Sequence, residues 1–470
     1  MSDSTPITPR HHSRVGTWVI VAAVLLAAAG MTTALIRSAS STPGVPTPTP
    51  WAVYGGSTRV YGGNTYDAFS STAALPDGGL IAVGSTASTD GDFPMTHGGP
   101  LDAVVMKLAP NGSITWAETL GGTGEEALMS VAVAVDGTII AVGYTNSTDG
   151  DFPMMHKGDA NAVVVKLAPD GAIIWAHTLG GSGSDVFTSV AIDQDGNIVA
   201  AGSTDSTDGD FPVPNEGNTA ALVAKLTPDG TLAWAKTFGG PGVLGAKTAA
   251  YSQFVSVDIA SDNTIVAGGD TDPTGGDLPA THGGADMVVV KLSTDGTVAW
   301  AQSYGSSGND TMGALAVCPD DSLVIVGTPA LGDGDFPADH SADVGVAKLT
   351  PDGAVEWTKT VGGSGGDFPS AIALGEDGRI VVAGETFSVD GIFARMGGGT
   401  AAFVAEFLPT GDLDWAKTYI SSVGSSLGGV VDEPDGTIVA VGFTGSPDGD
   451  FTGARGHAIV ARLTADGTLS

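Results

Sequence analysis

The feature that most constrains this chain is a repeat of nearly constant length. An apolar segment that ends in glycine recurs seven times, at Gly84, Gly143, Gly202, Gly268, Gly327, Gly384 and Gly442. Successive glycines are 59, 59, 66, 59, 57 and 58 residues apart. A fixed period in this range is typical of repeat architectures, in which each unit buries its apolar faces against its neighbours. The sequence therefore predicts one repeat body and not several unrelated domains.

Each period contains four short segments with the character of β-strands. In one unit they are NAVVVKL from Asn161, AIIWAHTL from Ala172, VFTSVAI from Val186 and NIVAAG from Asn197. They are rich in β-branched residues and bounded by Gly, Asp or Pro. The pairs Asp170-Gly171 and Asp195-Gly196 suit the positive φ angles of tight hairpin turns. Four strands per period form one propeller blade, so we predict an all-β, seven-bladed β-propeller of four-stranded blades.

The two ends of the repeat region complement each other. The last unit has a strand from His457 and only the start of the next one before Ser470. Residues 58–61 match the end of that missing strand, and residues 51–54 are a second candidate. Pairing an N-terminal strand with the C-terminal blade removes open sheet edges. We therefore expect a propeller over residues 51–470 that is closed by pairing of N- and C-terminal strands.

The repeated text resembles a known family. DAVVMKLAPNGSITWAETLGG followed by SVAVAVDGTIIAVGYTNSTDGDFP is similar to the SBBP repeat of bacterial extracellular seven-bladed β-propellers, over Thr58 to Ser470. The resemblance implies the fold and an extracellular setting, but that family has no common activity. Two places depart from the pattern. Pro241 to Gln253 contains an insertion, and Asp390-Gly391-Ile392 lacks the second Asp and the Pro of the repeated loop.

The N-terminal region has a different composition. Val15 to Ile36 is uncharged over 22 residues, enough for a helix to cross a bilayer. Basic residues precede it, which predicts a short cytoplasmic segment (1–14), a membrane segment (15–37) and an external propeller. A cleaved signal peptide is the alternative, with Ala27-Ala28-Ala29 as the small-residue site. Residues 38–50 (SASSTPGVPTPTP) read as a Ser/Thr/Pro-rich stalk. Either reading places the propeller at the cell surface or in the extracellular medium.

Charge and cysteine content narrow the function. The chain has 52 acidic and 18 basic residues, a net charge of −34, which excludes nucleic acid as a partner. Cys318 is the only cysteine, so no internal disulfide can form. These features suit an extracellular propeller, expected to be a monomer, whose partner is a protein, a glycan or a cation.

Loop lengths predict which face is functional. Because strand direction alternates, the Asp-Gly turns all fall on one face and the longer loops on the other, the long-loop face. Long loops on a rigid scaffold are where binding residues concentrate. We expect the insertion on this face, together with recurring acids that form a binding face. These acids are Asp67, Glu126, Asp185, Asp310 and Asp367.

A second loop, of the type STDGDFP, carries paired aspartates. Carboxylate and carbonyl oxygens are the ligands that Ca²⁺ prefers, so these aspartates are the candidate ligands of a Ca²⁺ site in each blade. The alternative is that each Asp side chain accepts hydrogen bonds from backbone N–H groups of its own turn. No other cofactor is predicted. The candidates are Asp90, Asp92, Asp149, Asp151, Asp208, Asp210, Asp333, Asp335, Asp448 and Asp450.

Two further residue types recur. Tryptophan follows a turn in six units, at Trp116, Trp175, Trp234, Trp300, Trp357 and Trp415, where we expect it to pack between adjacent blades. Histidine occurs five residues after the second Asp, at His97, His156, His282 and His340. Equivalent positions are spread around a ring, so these histidines are not expected to converge on one site.

No catalytic constellation emerges. GxSxG occurs around Ser364 and Ser426, but both lie between predicted strands, without the strand-to-helix elbow that exposes a nucleophile. The sequence therefore indicates a membrane-tethered, non-enzymatic binding or scaffold module. Two alternatives stay open: a structural protein of the cell envelope, and a quinone-cofactor (PQQ-like) dehydrogenase, whose propeller repeats also join a turn glycine to a tryptophan.

Overall fold

The computed structural model describes residues 58–93, 97–152, 158–211, 219–239, 251–272, 278–337, 342–394, 399–451 and 457–470. The N-terminal apolar segment, the stalk, residues 51–54 and most of the insertion lie outside the described residues. No helix in the described ranges combines the length and the apolar character that a bilayer crossing requires.

The described chain is built almost entirely from 28 strands. Those from the start of the chain to the end of blade 3 are β1 (Thr58–Tyr61), β2 (Asp67–Ala74), β3 (Leu80–Thr86), β4 (Asp102–Leu108), β5 (Ile114–Leu120), β6 (Glu126–Val133), β7 (Ile139–Thr145), β8 (Asn161–Leu167), β9 (Ile173–Leu179), β10 (Asp185–Ile192), β11 (Ile198–Thr204), β12 (Ala220–Leu226) and β13 (Leu232–Phe238). Those of blades 4 and 5 are β14 (Ser252–Ile259), β15 (Ile265–Thr271), β16 (Asp286–Leu292), β17 (Val298–Tyr304), β18 (Thr311–Val317), β19 (Leu323–Thr328), β20 (Val344–Leu349) and β21 (Val355–Val361). The rest are β22 (Asp367–Leu374), β23 (Ile380–Thr386), β24 (Ala401–Phe407), β25 (Leu413–Tyr419), β26 (Ser425–Asp432), β27 (Ile438–Thr444) and β28 (Ala458–Leu463). A short 3-10 helix covers Gly391–Phe393.

These strands form seven antiparallel sheets of four strands, which confirms the seven-bladed propeller. Blades 1 to 6 are β2–β5, β6–β9, β10–β13, β14–β17, β18–β21 and β22–β25. The first strands of successive blades contact one another around the ring, and β26 contacts β2, so these strands are innermost. Blade 7 has the order β26-β27-β28-β1, with Thr58 to Tyr61 paired antiparallel to Ala461 to Ala458.

The recurring glycine marks a close approach between the two inner strands of a blade. In blade 2 the pairing of β6 with β7 shifts between Leu128 and Ser130, opposite Gly143. A Cβ on Gly143 would lie 1.9 Å from the carbonyl oxygen of Ala127. Only glycine fits beside this bulge, which is why a glycine recurs in the second strand of every blade. In blade 4 the glycine that makes this close approach is Gly269, and not Gly268, which the sequence spacing had indicated.

The tryptophans join neighbouring blades, as predicted. The indole of Trp116 in β5 lies over Gly171, in the Asp-Gly turn of blade 2, and its Nε1–H donates to the carbonyl of Pro169 at 3.2 Å. Trp300 repeats both contacts with Gly353 and the carbonyl of Pro351. The core also lies between blades. Val83 of blade 1 and Leu128 of blade 2, for example, belong to one buried cluster.

The phenylalanine that follows the second Asp of the repeated loop anchors that loop in this core. Phe152 and Phe211 are 1% exposed, and Phe451 is fully buried. Full burial of such a side chain stabilises the fold by roughly 2–3 kcal/mol. The long loops are therefore held to the blades at this point. The lone cysteine, Cys318, directly follows β18 in a turn and is half-buried.

Candidate functional site

The two long loops of each blade are hydrogen bonded to each other. The leading loop joins the outermost strand of one blade to the innermost strand of the next, and the cross loop joins the second strand of a blade to its third. In blade 2, Asp149 Oδ1 accepts the N–H of Thr123 at 2.8 Å, and Asp151 Oδ2 accepts the N–H of Gly121 at 3.1 Å. Both aspartates lie in the cross loop, and both N–H groups lie in the leading loop.

We call these hydrogen bonds from the leading loop to the cross-loop aspartates the aspartate clasp. The same clasp recurs around the ring. The second Asp of the cross loop accepts a leading-loop N–H at 2.7–3.0 Å in Asp92 (from Gly62), Asp210 (from Gly180), Asp335 (from Gly305) and Asp450 (from Ile420). The first Asp does so at 2.6–2.8 Å in Asp208 (from Ser182), Asp333 (from Ser307) and Asp448 (from Ser422). Asp90 lies beside Gly63 at the matching place in blade 1. The aspartates therefore order backbone N–H groups, but those of a neighbouring loop and not of their own turn.

The calcium sites stay a prediction. Among the described residues, no three His, Cys, Asp or Glu side chains are grouped so that they could hold a metal ion. In each clasping carboxylate one oxygen accepts an N–H of the leading loop. Hydrogen bonding accounts for why Asp recurs at these positions.

The five acids expected on the binding face lie beneath it. Asp185 begins β10 and is fully buried. It accepts hydrogen bonds from Gly181 N (2.9 Å), Thr204 Oγ1 (2.5 Å) and Ser206 Oγ (2.8 Å). Burial raises the pKa of Asp185, and these three donors oppose the rise. Its carboxylate ties the leading loop and the cross loop to the inner strand.

The other four acids are equally inaccessible. Each is fully buried and accepts the N–H of a leading-loop residue at 2.7–3.0 Å: Asp67 from Gly63, Glu126 from Gly122, Asp310 from Ser306 and Asp367 from Gly363. A ligand on the face cannot reach them, so the prediction that these acids form the binding face is wrong. A buried carboxylate needs several donors, and the adjoining loops supply them.

The described histidines bridge adjacent blades. The backbone N–H of His97 donates to Asp102 Oδ2 at 2.7 Å, and its ring Nε2 lies 3.2 Å from Oδ2 of Asp151 in the next blade. Asp102 is 1% exposed, and its Oδ1 has no hydrogen-bond partner. Burial raises the pKa of Asp102.

The boundary between blades 4 and 5 repeats this arrangement. His282 Nδ1 lies 2.6 Å from Asp286 Oδ2, and its Nε2 lies 3.9 Å from Asp335 Oδ2 of blade 5. The hydrogen bond with Asp286 raises the pKa of His282. The two histidines lie at different blade boundaries and do not converge. His156 and His340 lie outside the described residues.

Exposed apolar residues on the long-loop face are concentrated in blades 5 to 7. We call this set the apolar sector: Leu331, Phe368, Phe387, Val389, Ile392 and Val423, which are 38–65% exposed. Sequence reasoning noted Ile392 as a departure from the repeat but missed the others. A position-by-position alignment of the units carries the signal, because most of these side chains replace polar or small ones.

Two of the serines singled out in the sequence are parts of the scaffold. Ser364 lies in the leading loop before blade 6, and its N–H donates to Asp390 Oδ1 at 2.7 Å. Ser426 lies within β26, paired with Phe443. Neither position has the strand-to-helix turn of a hydrolase nucleophile.

Comparison with known proteins addresses the fold. Residues 376–414, within blade 6, match the family described as a domain of unknown function (DUF5122) beta-propeller. The chain contains a beta-propeller domain. The narrower resemblance to the SBBP repeat stays a prediction.

More distant similarities extend over most of the chain. The regulatory protein FlaEY of Caulobacter vibrioides is 26% identical in an alignment of 402 residues that covers 76% of this chain, and the chain spans 40% of that protein's length. BamB from Moraxella catarrhalis is 13% identical, with a TM-score of 0.41, over 83% of this chain and 96% of that one. The Neurospora crassa Pan2 WD40 domain is 11% identical, with a TM-score of 0.46, over 85% and 91% of the two chains.

Proposed function

We propose that this protein is a non-enzymatic binding module, held outside the cell by its N-terminal segment, that recognises a partner protein through the long-loop face. The observation that carries this proposal is the apolar sector. Phe387, Val389 and Val423 are 46%, 60% and 65% exposed, on one side of a face whose repeated polar groups are hydrogen bonded internally. Grouped exposed apolar side chains mark interaction sites on soluble domains.

The scaffold beneath this surface supports a binding role. The leading and cross loops are clasped by aspartates, anchored by buried phenylalanines and tied to the inner strands by buried acids. Loops fixed in this way lose little conformational entropy on binding, which favours affinity. The relative from Caulobacter vibrioides is named a regulatory protein, and a role exerted through binding is compatible with that name.

Site-specific photocrosslinking tests the proposal. A benzoylphenylalanine replaces Val389 on the long-loop face or Val135 on the Asp-Gly-turn face, in the full chain expressed in its native host. Both positions are exposed, so the label reaches solvent from either face. We expect one adduct of defined mass from position 389 only, and we expect excess unlabelled protein to abolish it. Adducts of equal yield from both positions, or none from position 389, would contradict the proposal.

A further inference from the structure

The apolar sector departs from the repeat at structurally equivalent positions. Strand register aligns Phe368 of blade 6 with Ala68 and Ala127 of blades 1 and 2, because each follows the acid that opens an innermost strand. Phe387, the residue after the second strand, occupies the place of Asn146 in blade 2. Alanine and asparagine satisfy the fold at these places. The aromatic rings in blade 6 are therefore not required by the propeller.

The other members follow the same rule. Val389 replaces the threonine found at Thr89, Thr148 and Thr207. Val423 replaces Thr65 and glycines of the other leading loops, and Ile392 replaces the clasping aspartate. Five apolar substitutions thus fall in two adjoining blades of one face, and Leu331 adds a sixth exposed apolar side chain in blade 5.

The sector is preorganised. The rings of Phe368 and Phe387 meet edge to face, with centroids 5.9 Å apart and an interplanar angle of 88°. The side chain of Val423 lies against Gly445 of blade 7, where an added Cβ would come within 2.8 Å of Cγ1. Ile392 lies at an open groove of about 500 Å³ between blades 6 and 7, which Lys417, Asp450 and Leu469 also line. Apolar side chains held in place in this way resemble the anchoring sites of protein interfaces.

Acidic residues are interspersed with these apolar side chains. Asp333, Asp390 and Asp448 are exposed, one in the cross loop of each of blades 5, 6 and 7. Hydrogen bonds from Ser307 and Ser422 lower the pKa of Asp333 and Asp448, so both are ionised at neutral pH. The described residues of these cross loops and of the leading loops beside them contain no lysine or arginine.

Basic side chains gather at the opposite end of the blades. Lys107, Lys166 and Lys291 donate to carbonyls in the Asp-Gly turns of the next blade, so they belong to the Asp-Gly-turn face. The long-loop face therefore presents apolar groups within a negative field. Arg395 and Arg455 fall in the cross loops of blades 6 and 7 but outside the described residues, which is why the test below includes an acidic probe.

We propose that the apolar sector binds a peptide segment of a partner protein in which apolar side chains are flanked by lysine or arginine. This inference rests on the proposed function and deepens it. Exposed aspartates repel an anionic lipid surface. A basic, apolar peptide satisfies both parts of the surface, since its side chains cover the apolar groups and its cations face the aspartates.

The test measures binding of fluorescent synthetic peptides to the full chain by anisotropy. One peptide contains leucine and lysine, a second leucine and glutamate, and a third serine and lysine. The wild-type protein should bind the leucine–lysine peptide saturably, and at least about tenfold more tightly than either other peptide, a difference of about 1.4 kcal/mol. Stronger binding of the leucine–glutamate peptide overturns the proposal, and so does binding to phosphatidylcholine vesicles with no preference for the peptide.

Two variants distinguish binding at the apolar sector from nonspecific attraction of the basic peptide to an acidic protein. The sector variant restores at each position a residue that other blades carry, so it should fold normally: Phe368→Ala, Phe387→Asn, Val389→Thr and Val423→Thr. The control variant makes the same kind of change on the opposite face: Val135→Gln and Ile174→Thr. We expect at least about tenfold weaker binding of the leucine–lysine peptide by the sector variant, and no change in the control. Equal affinity of wild-type and sector variant overturns the proposal.

Failure of this inference can be distinguished from failure of the proposed function. If crosslinking from position 389 persists when the other three sector substitutions are present, the face binds a partner but the assignment of its peptide is wrong. If the sector variant loses both peptide and crosslink, both proposals stand.

Discussion

The indole of Trp116 covers Gly171 of the next blade, so that a Cβ on Gly171 would lie 3.1 Å from the indole atoms Cδ2 and Cε3. This relationship recurs between Trp234 and Gly296 at 3.2 Å. It joins two sequence features that are far apart in the chain, a turn glycine and a strand tryptophan, in one contact between blades. Contacts of this kind therefore join neighbouring blades, and each depends on a residue without a side chain.

Replacing Gly171 with alanine separates two effects of the turn glycine. Gly171 has φ +93°, and Gly196, in another Asp-Gly turn, has φ +81°. A Cβ on Gly196 meets only Pro228, at 3.6 Å, which is an ordinary contact. Gly196→Ala should cost about 1–2 kcal/mol of unfolding free energy through backbone strain alone. Gly171→Ala should cost about 1–3 kcal/mol more, because the indole must move. Chemical denaturation measures both, and equal losses would show that the tryptophan contact is unimportant.

The buried acids should be sensitive to loss of charge. Asp185→Asn places an amide NH₂ against groups that already donate, namely the Gly181 N–H and the Thr204 and Ser206 hydroxyls. We expect a loss of about 2–3 kcal/mol in unfolding free energy, since buried donors are left without acceptors. Asp208→Asn is the control, because Asp208 is exposed and an amide oxygen can still accept the N–H of Ser182. A similar loss in both variants would mean that burial of Asp185 does not determine its role.

Stability should fall as the pH rises from about 4 to about 7. Burial raises the pKa of Asp270 and of Glu433 to about 7 and that of Asp432 to about 6. An unfolded carboxyl titrates near pH 4. A folded pKa above the unfolded value stabilises the protein fully below the unfolded pKa, and this stabilisation is lost as the pH passes the folded pKa. Each of these groups therefore favours the folded state at the acidic end of the range.

Asp270→Asn should flatten this dependence. Asp270 Oδ1 accepts the N–H of Met312 at 2.6 Å, a bond that an amide oxygen can keep, so the variant imitates the protonated acid. Relative to wild type, we expect the variant to gain unfolding free energy at pH 8, on the order of a few kcal/mol, and to change little at pH 4. Asp170→Asn alters an exposed carboxylate and is the control. Parallel pH profiles of wild type and Asp270→Asn would refute the assignment.

Calcium should not change thermal stability. Asp149 and Asp151 already accept N–H groups of the leading loop, so their role needs no cation. A ligand that binds only the folded state raises the melting temperature by mass action. We expect identical melting curves with Ca²⁺ and with chelator. A saturable rise with Ca²⁺ would show that other parts of the loops complete a metal site.

Much of this fold could be predicted from the sequence, because the residues that determine the blade geometry recur at the same place in each repeat. The glycine at position 143 is set by a bulge opposite Leu128, and the tryptophan at position 116 by a turn in the next blade, and both recur with the period. The burial of Asp185 could not be predicted in this way, since an acid that recurs at the start of a strand has the same spacing whether it is exposed or buried. Its partners, Thr204 and Ser206, are distant in sequence and are brought near only by folding.

The apolar sector was missed for the opposite reason. A search for what repeats discards positions such as Phe387 and Val389, which differ from the consensus. Their grouping becomes visible only when the ring places blades 6 and 7 side by side. In this protein the repeated residues build the scaffold, and the positions that break the repeat form the surface proposed to bind.

That distinction is the central claim, and photocrosslinking at one structural position in two blades tests it most directly. Val389 of blade 6 and Thr148 of blade 2 precede the first aspartate of their cross loops, and both are exposed on the same face. With benzoylphenylalanine at either place, only position 389 should give the partner adduct, because only blade 6 belongs to the apolar sector. Equal adduct yields from positions 389 and 148 would contradict the claim and would show that the repeated face as a whole, and not its deviant sector, contacts the partner.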